Sequence, residues 1–128
     1  MKYLNLLPRF WKTILVLVII LCLCLIPGND ISKIDLLKIP YEDKVVHLMM
    51  FLGFSSVLFH DLQRNTELAN KRAALILTVL AFCTLLGITT EMLQLLLISL
   101  NRTGSVTDFL FDMLGSGLGI IGMRLIKQ

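Results

Sequence analysis

The sequence predicts an all-α integral membrane protein, built as a bundle of four transmembrane helices. Of its 128 residues, 56% are hydrophobic, and the mean hydropathy is +0.83, both well above what soluble proteins carry. The apolar residues fall into four stretches, each near or above the roughly 20 residues that a helix needs to cross a bilayer. We expect the spans at about residues 10–26, 44–60, 73–100 and 106–126, in a single domain over residues 1–128.

The first span follows a basic N-terminal tail. Lys2, Arg9 and Lys12 precede an uncharged stretch that ends at Asn29, a layout that is also typical of secretory signal peptides. The end of the stretch offers no small-x-small cleavage sequence. We therefore expect a retained helix over residues 10–26.

The second span begins at a helix start signal. Pro40, Glu42 and Asp43 place a proline in the first turn and acidic side chains at the positive end of the helix dipole. A polar connector over residues 61–72 separates this span from the third one, which carries no charge over residues 73–90.

The fourth span, over residues 106–126, carries a stripe of small and acidic residues. Asp108, Asp112, Gly115 and Gly119 recur at the spacing of a single helix face. Glycines at this spacing let helix backbones approach closely, so we expect Gly115 and Gly119 to form the packed seam of the bundle.

Lysine and arginine residues predict the orientation, because they are retained on the cytoplasmic side. Eight of the twelve lie in the N-terminal tail, the connector between the second and third spans, and the C-terminal end; the other two loops hold four. Both termini are therefore predicted to be cytoplasmic.

Composition also excludes several classes of protein. The net charge is only +3 and no long basic run occurs, so we expect no nucleic-acid partner. Cys22, Cys24 and Cys83 lie inside apolar stretches without CxxC or Cys/His spacing, which argues against a disulfide framework or a cysteine zinc site. We interpret them as small apolar packing residues.

Polar side chains within the spans collect near the predicted outer face. Charged groups in hydrocarbon cost several kcal/mol each unless they are paired or hydrated, so their presence indicates a functional site. The candidate ligand-binding residues are Lys44, His47, Glu91, Gln94, Arg102, Ser105, Asp108 and Asp112.

These residues have a structural and a functional interpretation. An ion-pair network would lock the helices together, whereas a pocket would hold a headgroup, a metal or a proton; we favour the pocket because a lock rarely needs so many groups. A metal site of His47, Glu91, Asp108 and Asp112 has suitable nitrogen and oxygen ligands. No HExxH or comparable motif supports it, and we expect neither a metal nor a cofactor.

Several polar motifs follow one another in a specific order. They are D-K-x-x-H-x-x-x-F from Asp43 to Phe51, E-x-x-Q at Glu91 and Gln94, Arg102, S-x-x-D at Ser105 and Asp108, and the later Gly115 and Gly119. Over about residues 41–122 this order resembles the VanZ-like family, which is named for a protein associated with low-level teicoplanin resistance.

The resemblance implies a small bacterial inner-membrane protein with several spans and an outward polar site. Family members usually carry Asn where this chain has Asp112. If that Asn donates a hydrogen bond to a ligand, Asp112 replaces it only when protonated.

We expect binding rather than catalysis. Lys44 and Arg102 would engage an anionic or polar cell-envelope ligand, such as a lipid, a cell-wall precursor or a glycopeptide, with an effect on glycopeptide resistance. One alternative is a membrane-embedded hydrolase or transferase acting on a lipid-linked substrate through Glu91, Asp108 and His47. Another is an accessory or proton-coupled transporter subunit; with only four short spans, transport would need an oligomer, for example a homo-oligomer.

Overall fold

The computed structural model describes residues 7–26, 42–97 and 104–126, and these ranges contain helices and turns but no strand. The four α-helices of the described chain are α1 (Trp11–Leu25), α2 (Glu42–Asn65), α3 (Arg72–Leu96) and α4 (Val106–Ile126), with a short 3₁₀ helix, Glu67–Asn70, between α2 and α3. The all-α prediction is confirmed.

The helices pack with α2 at the centre. It lies along α4 over most of its length and also contacts α1 and α3. Residues near the start of α2 meet residues near the start of α4, as in the ion pair between Lys44 and Asp108, so these two helices run in the same direction. Glu91, near the end of α3, contacts Ser105 just before α4, whereas the earlier Thr84 contacts the later Met113, so α3 is antiparallel to α4.

The apolar core lies where the four helices face one another. Its buried side chains include Ile20 and Cys24 of α1, Phe51, Phe54 and Leu58 of α2, Val79 and Cys83 of α3, and Ile120 of α4. Many other large apolar side chains point outward, among them Leu77, Leu85, Leu110, Leu114 and Leu118. An apolar exterior around a core of the same character is what a bilayer permits, because lipid tails do not penalise it.

Three helices are long and apolar enough to cross a membrane: α2, α3 and α4. The first helix, α1, is apolar but has 15 residues, which is about 22 Å at 1.5 Å per residue. The bounds of α4 coincide with the predicted fourth span, 106–126.

Two predicted boundaries differ from the observed helices. The second helix continues beyond His60 to Asn65, although a polar connector was expected from residue 61. Asp61 is buried and accepts hydrogen bonds from Thr13 of α1, so its charge does not have to reach water. The third helix ends at Leu96 rather than near residue 100, and residues 98–103 lie outside the described residues.

Candidate functional site

Buried polar side chains of three helices meet at one end of the bundle. They come from the first turns of α2 and α4 and from the last turns of α3, because α2 and α4 are parallel to each other and α3 is antiparallel to both. We call this set the polar layer; its members are Lys44, His47, Glu91, Gln94, Asp108 and Asp112. All but the partly exposed Lys44 are buried, with Asp112 at 0% exposure.

The centre of the polar layer is a pair between α2 and α4. His47 Nδ1 lies 2.9 Å from Asp112 Oδ1, and both side chains are shielded from solvent. When Asp112 is ionised it can only accept a hydrogen bond, so a neutral His47 ring then carries its proton on Nδ1. The other ring nitrogen, Nε2, then carries a lone pair that can accept a hydrogen bond or bind a metal ion.

A second pair lies one turn nearer the end of the bundle. Lys44 Nζ is 3.2 Å from Asp108 Oδ1, and the Lys44 side chain is 24% exposed whereas that of Asp108 is 11% exposed. The two pairs therefore differ in access to solvent. The ammonium group marks the rim of the polar layer, and the histidine pair marks its interior.

Glu91 contributes the third connection, between α3 and the start of α4. Its Oε2 accepts a hydrogen bond of 2.6 Å from the backbone N–H of Ser105. A Cβ at Gly104 would lie 2.9 Å from the backbone oxygen of Glu91 and 2.7 Å from Leu95 Cγ. The absence of a side chain at position 104 thus lets the chain approach α3 closely enough for this bond.

Ser105 itself lies at the N-cap of α4. Its Oγ accepts a hydrogen bond from the backbone N–H of Thr107, as is usual for a serine in that position. The side chain of Asp108 turns to Lys44 instead of back to Ser105, and Glu91 receives the Ser105 N–H instead. In a capping box, the side chain three residues after the N-cap accepts the backbone N–H of the N-cap residue. Here Glu91 of α3 accepts that N–H in place of Asp108.

Gly115 and Gly119 lie in the contact between α4 and α2. A Cβ at Gly115 would overlap the backbone carbonyl of Leu48, and one at Gly119 would overlap Ser55 Oγ and lie 2.6 Å from the backbone oxygen of Leu52. This close backbone approach is what brings the first turns of α2 and α4 within hydrogen-bonding distance of each other.

Two buried oxygen atoms in the polar layer lack a hydrogen-bond partner among the described residues. They are Glu91 Oε1 and Asp112 Oδ2. Buried polar atoms are nearly always paired with protein or ordered water, and an exception often marks a functional position. One ligand atom each from His47, Glu91 and Asp112 lie within 4.8 Å of one another, a spacing at which they could hold a metal ion.

The predicted site residues are thus brought together unequally. Gln94 is 3% exposed and faces the bundle interior. His47, Glu91 and Asp112 form a close group of three, and Asp108 lies outside it, paired with Lys44. Ser105 takes part through its backbone and its capping hydroxyl. Arg102 lies outside the described residues, so the structure gives no geometry for it.

One buried polar contact at the opposite end was missed from the sequence. Asp61 is 3% exposed, and its Oδ2 accepts hydrogen bonds from Thr13 Oγ1 at 2.8 Å and from the Thr13 backbone N–H at 3.3 Å. His60 is partly exposed, and its Nδ1 lies 3.4 Å from Asp61 Oδ1. The signal in the sequence was a threonine, Thr13, at the beginning of an apolar stretch. Its pairing with Asp61 could not be predicted without knowing how α1 and α2 are arranged.

The fold and the polar layer define a class: a small helical membrane protein with three helices long and apolar enough to cross a bilayer and a buried polar cluster at one end of its bundle. Within this class, the chain belongs to the VanZ/LLP1 family, whose model matches residues 9–127. The match extends beyond residues 41–122, where the resemblance was expected, and includes α1. No curated protein and no solved structure matches the chain.

Proposed function

We propose that the polar layer binds the polar headgroup of a cell-envelope molecule: a phospholipid, a lipid-linked cell-wall precursor or a glycopeptide. The observation that carries this proposal is the gathering of buried charged groups from three helices at one end of the bundle, where two carboxylate oxygens have no hydrogen-bond partner among the described residues. Charged groups inside a membrane are costly and usually mark a ligand path or binding site.

The arrangement of charges suggests how such a headgroup would be held. Lys44 is the most exposed member of the polar layer, so an anionic group arriving from the bundle end meets its ammonium first. Arg102, placed in the adjacent connection by the sequence, would engage the same group through paired N–H donors. Deeper in, the free oxygens of Glu91 and Asp112 would accept hydrogen bonds from hydroxyl or amide groups of the ligand.

The proposed location is the bacterial cytoplasmic membrane, with both termini in the cytoplasm. The charge asymmetry of the loops supports this orientation, and it directs the polar layer to the outer face. At that face the polar layer would meet lipid-linked cell-wall precursors and any glycopeptide that reaches the membrane from outside. An effect of the protein on glycopeptide resistance would follow from binding either of them.

A membrane-embedded hydrolase or transferase is the second candidate, and the pairing of His47 with Asp112 favours it. A carboxylate that orients an imidazole is a recurring arrangement in general acid and base catalysis. Glu91 would then act on a lipid-linked substrate beside this pair. Release of inorganic phosphate from a polyprenyl diphosphate by the wild type, lost in His47→Gln, would favour the enzyme over simple binding.

Binding can be tested on the purified full chain in dodecyl maltoside. Teicoplanin, undecaprenyl phosphate and phosphatidylglycerol are titrated separately and binding is followed by microscale thermophoresis. We expect at least one of them to bind, and Lys44→Gln to weaken that binding about tenfold or more. Arg124→Gln is the matched control, because it removes the same charge from the far end of α4.

Two results would contradict the proposal. One is that none of the three probes binds the wild type. The other is that Lys44→Gln and Arg124→Gln weaken binding equally, since that pattern indicates general charge attraction rather than a site. The effect on glycopeptide resistance is tested separately. The teicoplanin concentration that inhibits growth is compared between cells expressing the wild type and cells expressing Lys44→Gln.

A further inference from the structure

The close group of three in the polar layer combines ligand types that suit a metal ion. His47 comes from α2, Glu91 from α3 and Asp112 from α4, and one donor atom of each lies within 4.8 Å of the others. Three helices therefore contribute one donor each. An imidazole nitrogen with two carboxylate oxygens is a set that binds Zn²⁺ or Mn²⁺.

The unpartnered oxygens provide an independent reason to place a cation here. Asp112 is fully buried and Glu91 is 9% exposed, yet Asp112 Oδ2 and Glu91 Oε1 have no hydrogen-bond partner among the described residues. Leaving a buried acceptor unsatisfied costs about 1–3 kcal/mol, and more for a charged group.

The local charges point the same way. Three carboxylates, Glu91, Asp108 and Asp112, face two basic side chains, Lys44 and His47, in the polar layer. Lys44 is engaged by Asp108, and His47 adds at most one positive charge. Among the described residues, Glu91 and Asp112 therefore carry more negative charge than the imidazole can neutralise, which favours a cation between them.

We propose that His47, Glu91 and Asp112 bind one divalent cation of the zinc or manganese class. Donors that share such an ion lie roughly 3–3.5 Å apart, so the side chains would close on it with movements on the order of 1 Å. Three protein ligands leave a coordination position open. As a component of the headgroup site this inference rests on the proposed function, with the open position directed at a phosphate or carboxylate of the ligand.

The test measures metal content of the full chain. Purified wild type in dodecyl maltoside is stripped with EDTA, incubated separately with Zn²⁺, Mn²⁺ or Mg²⁺, desalted, and examined by native mass spectrometry and elemental analysis. We expect one Zn²⁺ or Mn²⁺ per chain and little retained Mg²⁺. His47→Gln, Glu91→Gln and Asp112→Asn should each weaken retention about tenfold or more, which is the lower end of the loss seen on removing supporting groups of metal sites.

His60→Gln is the matched control, because it removes the second histidine from the opposite end of α2 and should leave metal retention unchanged. X-ray absorption of the zinc-loaded wild type does not depend on variants that fold poorly. One nitrogen ligand with oxygen ligands is expected. Sulfur ligands would assign the metal to Cys22, Cys24 or Cys83 and would overturn the inference.

Further outcomes separate this inference from the proposed function. Absence of stoichiometric metal in the wild type, or equal retention by the wild type and all three site variants, overturns the cation site. If the wild type retains no metal but still binds a headgroup probe, the cation site is wrong and the headgroup site stands. If the wild type retains the metal but binds no headgroup probe, the headgroup site is wrong and the cation site stands.

Discussion

At the scale of single residues, two buried carboxylates each accept a hydrogen bond from the start of another helix. Asp61 of α2 accepts the backbone N–H of Thr13 in the first turn of α1, and Glu91 of α3 accepts the backbone N–H of Ser105 at the start of α4. The first N–H groups of a helix have no partner inside that helix, and negative charge is favourable at this end of the dipole. Each carboxylate thus stabilises a helix start inside the bundle.

The contact between Thr13 and Asp61 gives a stability prediction. Thr13→Val keeps the shape of the side chain but removes the hydroxyl that donates to the 3% exposed Asp61. Leaving that buried carboxylate short of a donor should lower the free energy of unfolding by about 1–3 kcal/mol. Thermal unfolding in detergent, followed by circular dichroism, measures the change as a fall of several degrees in Tm.

Thr89→Val is the matched control for this prediction. The Thr89 hydroxyl is exposed and donates only to the carbonyl of Leu85 in its own helix, so its loss leaves no buried group unsatisfied. Equal Tm values for Thr13→Val and the wild type would mean that the buried contact contributes little.

At the scale of elements, the contact between α2 and α4 holds the site together. The parallel arrangement of these helices aligns Lys44 with Asp108 and His47 with Asp112, one helical turn apart on both helices. Gly115 sets the separation, because its Cα faces the backbone of Leu48 directly. The polar layer therefore depends on small residues that carry no chemistry of their own.

Gly115→Ala should therefore destabilise the bundle. The added Cβ would overlap the Leu48 carbonyl, and the backbone is less able than a side chain to move away. Overpacking of this kind costs about 1–3 kcal/mol of folding stability. It should also lower the affinity of the polar layer for its ligand. Tm in detergent and binding of the headgroup probe are the two measurements.

Gly122→Ala controls for the change in helix propensity on the same helix. A Cβ there meets nothing within 4 Å, and alanine is a better helix former than glycine by about 1 kcal/mol. We expect unchanged or higher stability for this variant. A loss of stability in Gly122→Ala equal to that in Gly115→Ala would contradict the packing explanation.

At the scale of the whole molecule, opposite charges occupy the two ends of the bundle. The polar layer, rich in carboxylates, lies at one end. At the other, a groove is lined by Arg9, Lys12 and Arg64 together with the Trp11 ring. Basic side chains are retained in the cytoplasm and tryptophan favours the membrane interface, so this end is expected to face inward.

Reporter fusions in bacteria test this orientation. A green fluorescent protein fused after Ile126 should fluoresce, and alkaline phosphatase at the same point should be inactive, because the C-terminus is predicted to be cytoplasmic. Fusions after Gly104 are the control and should give the opposite pair of results. Active phosphatase after Ile126 would reverse the orientation and place the polar layer at the cytoplasmic face.

Much of the candidate site was predictable because hydropathy and helix spacing act along the chain. Gly87, Glu91 and Gln94 have the spacing of one helix face, and all three are buried. Spans of similar length also bring the polar ends of neighbouring helices to one level. The choice of partners was not predictable in this way, since it depends on the rotation of each helix about its axis and on the distances between axes.

The sequence by itself determined the membrane class, the family, the approximate spans and the polar residues near one end, because each follows from local composition and order. Tertiary structure decided that Lys44 pairs with Asp108, that Glu91 receives Ser105, and that Asp61 is buried against Thr13. These contacts join residues 14 to 64 positions apart. A carboxylate in hydrocarbon takes whichever donor the packing of the helices brings within about 3 Å, and packing is a property of the whole bundle.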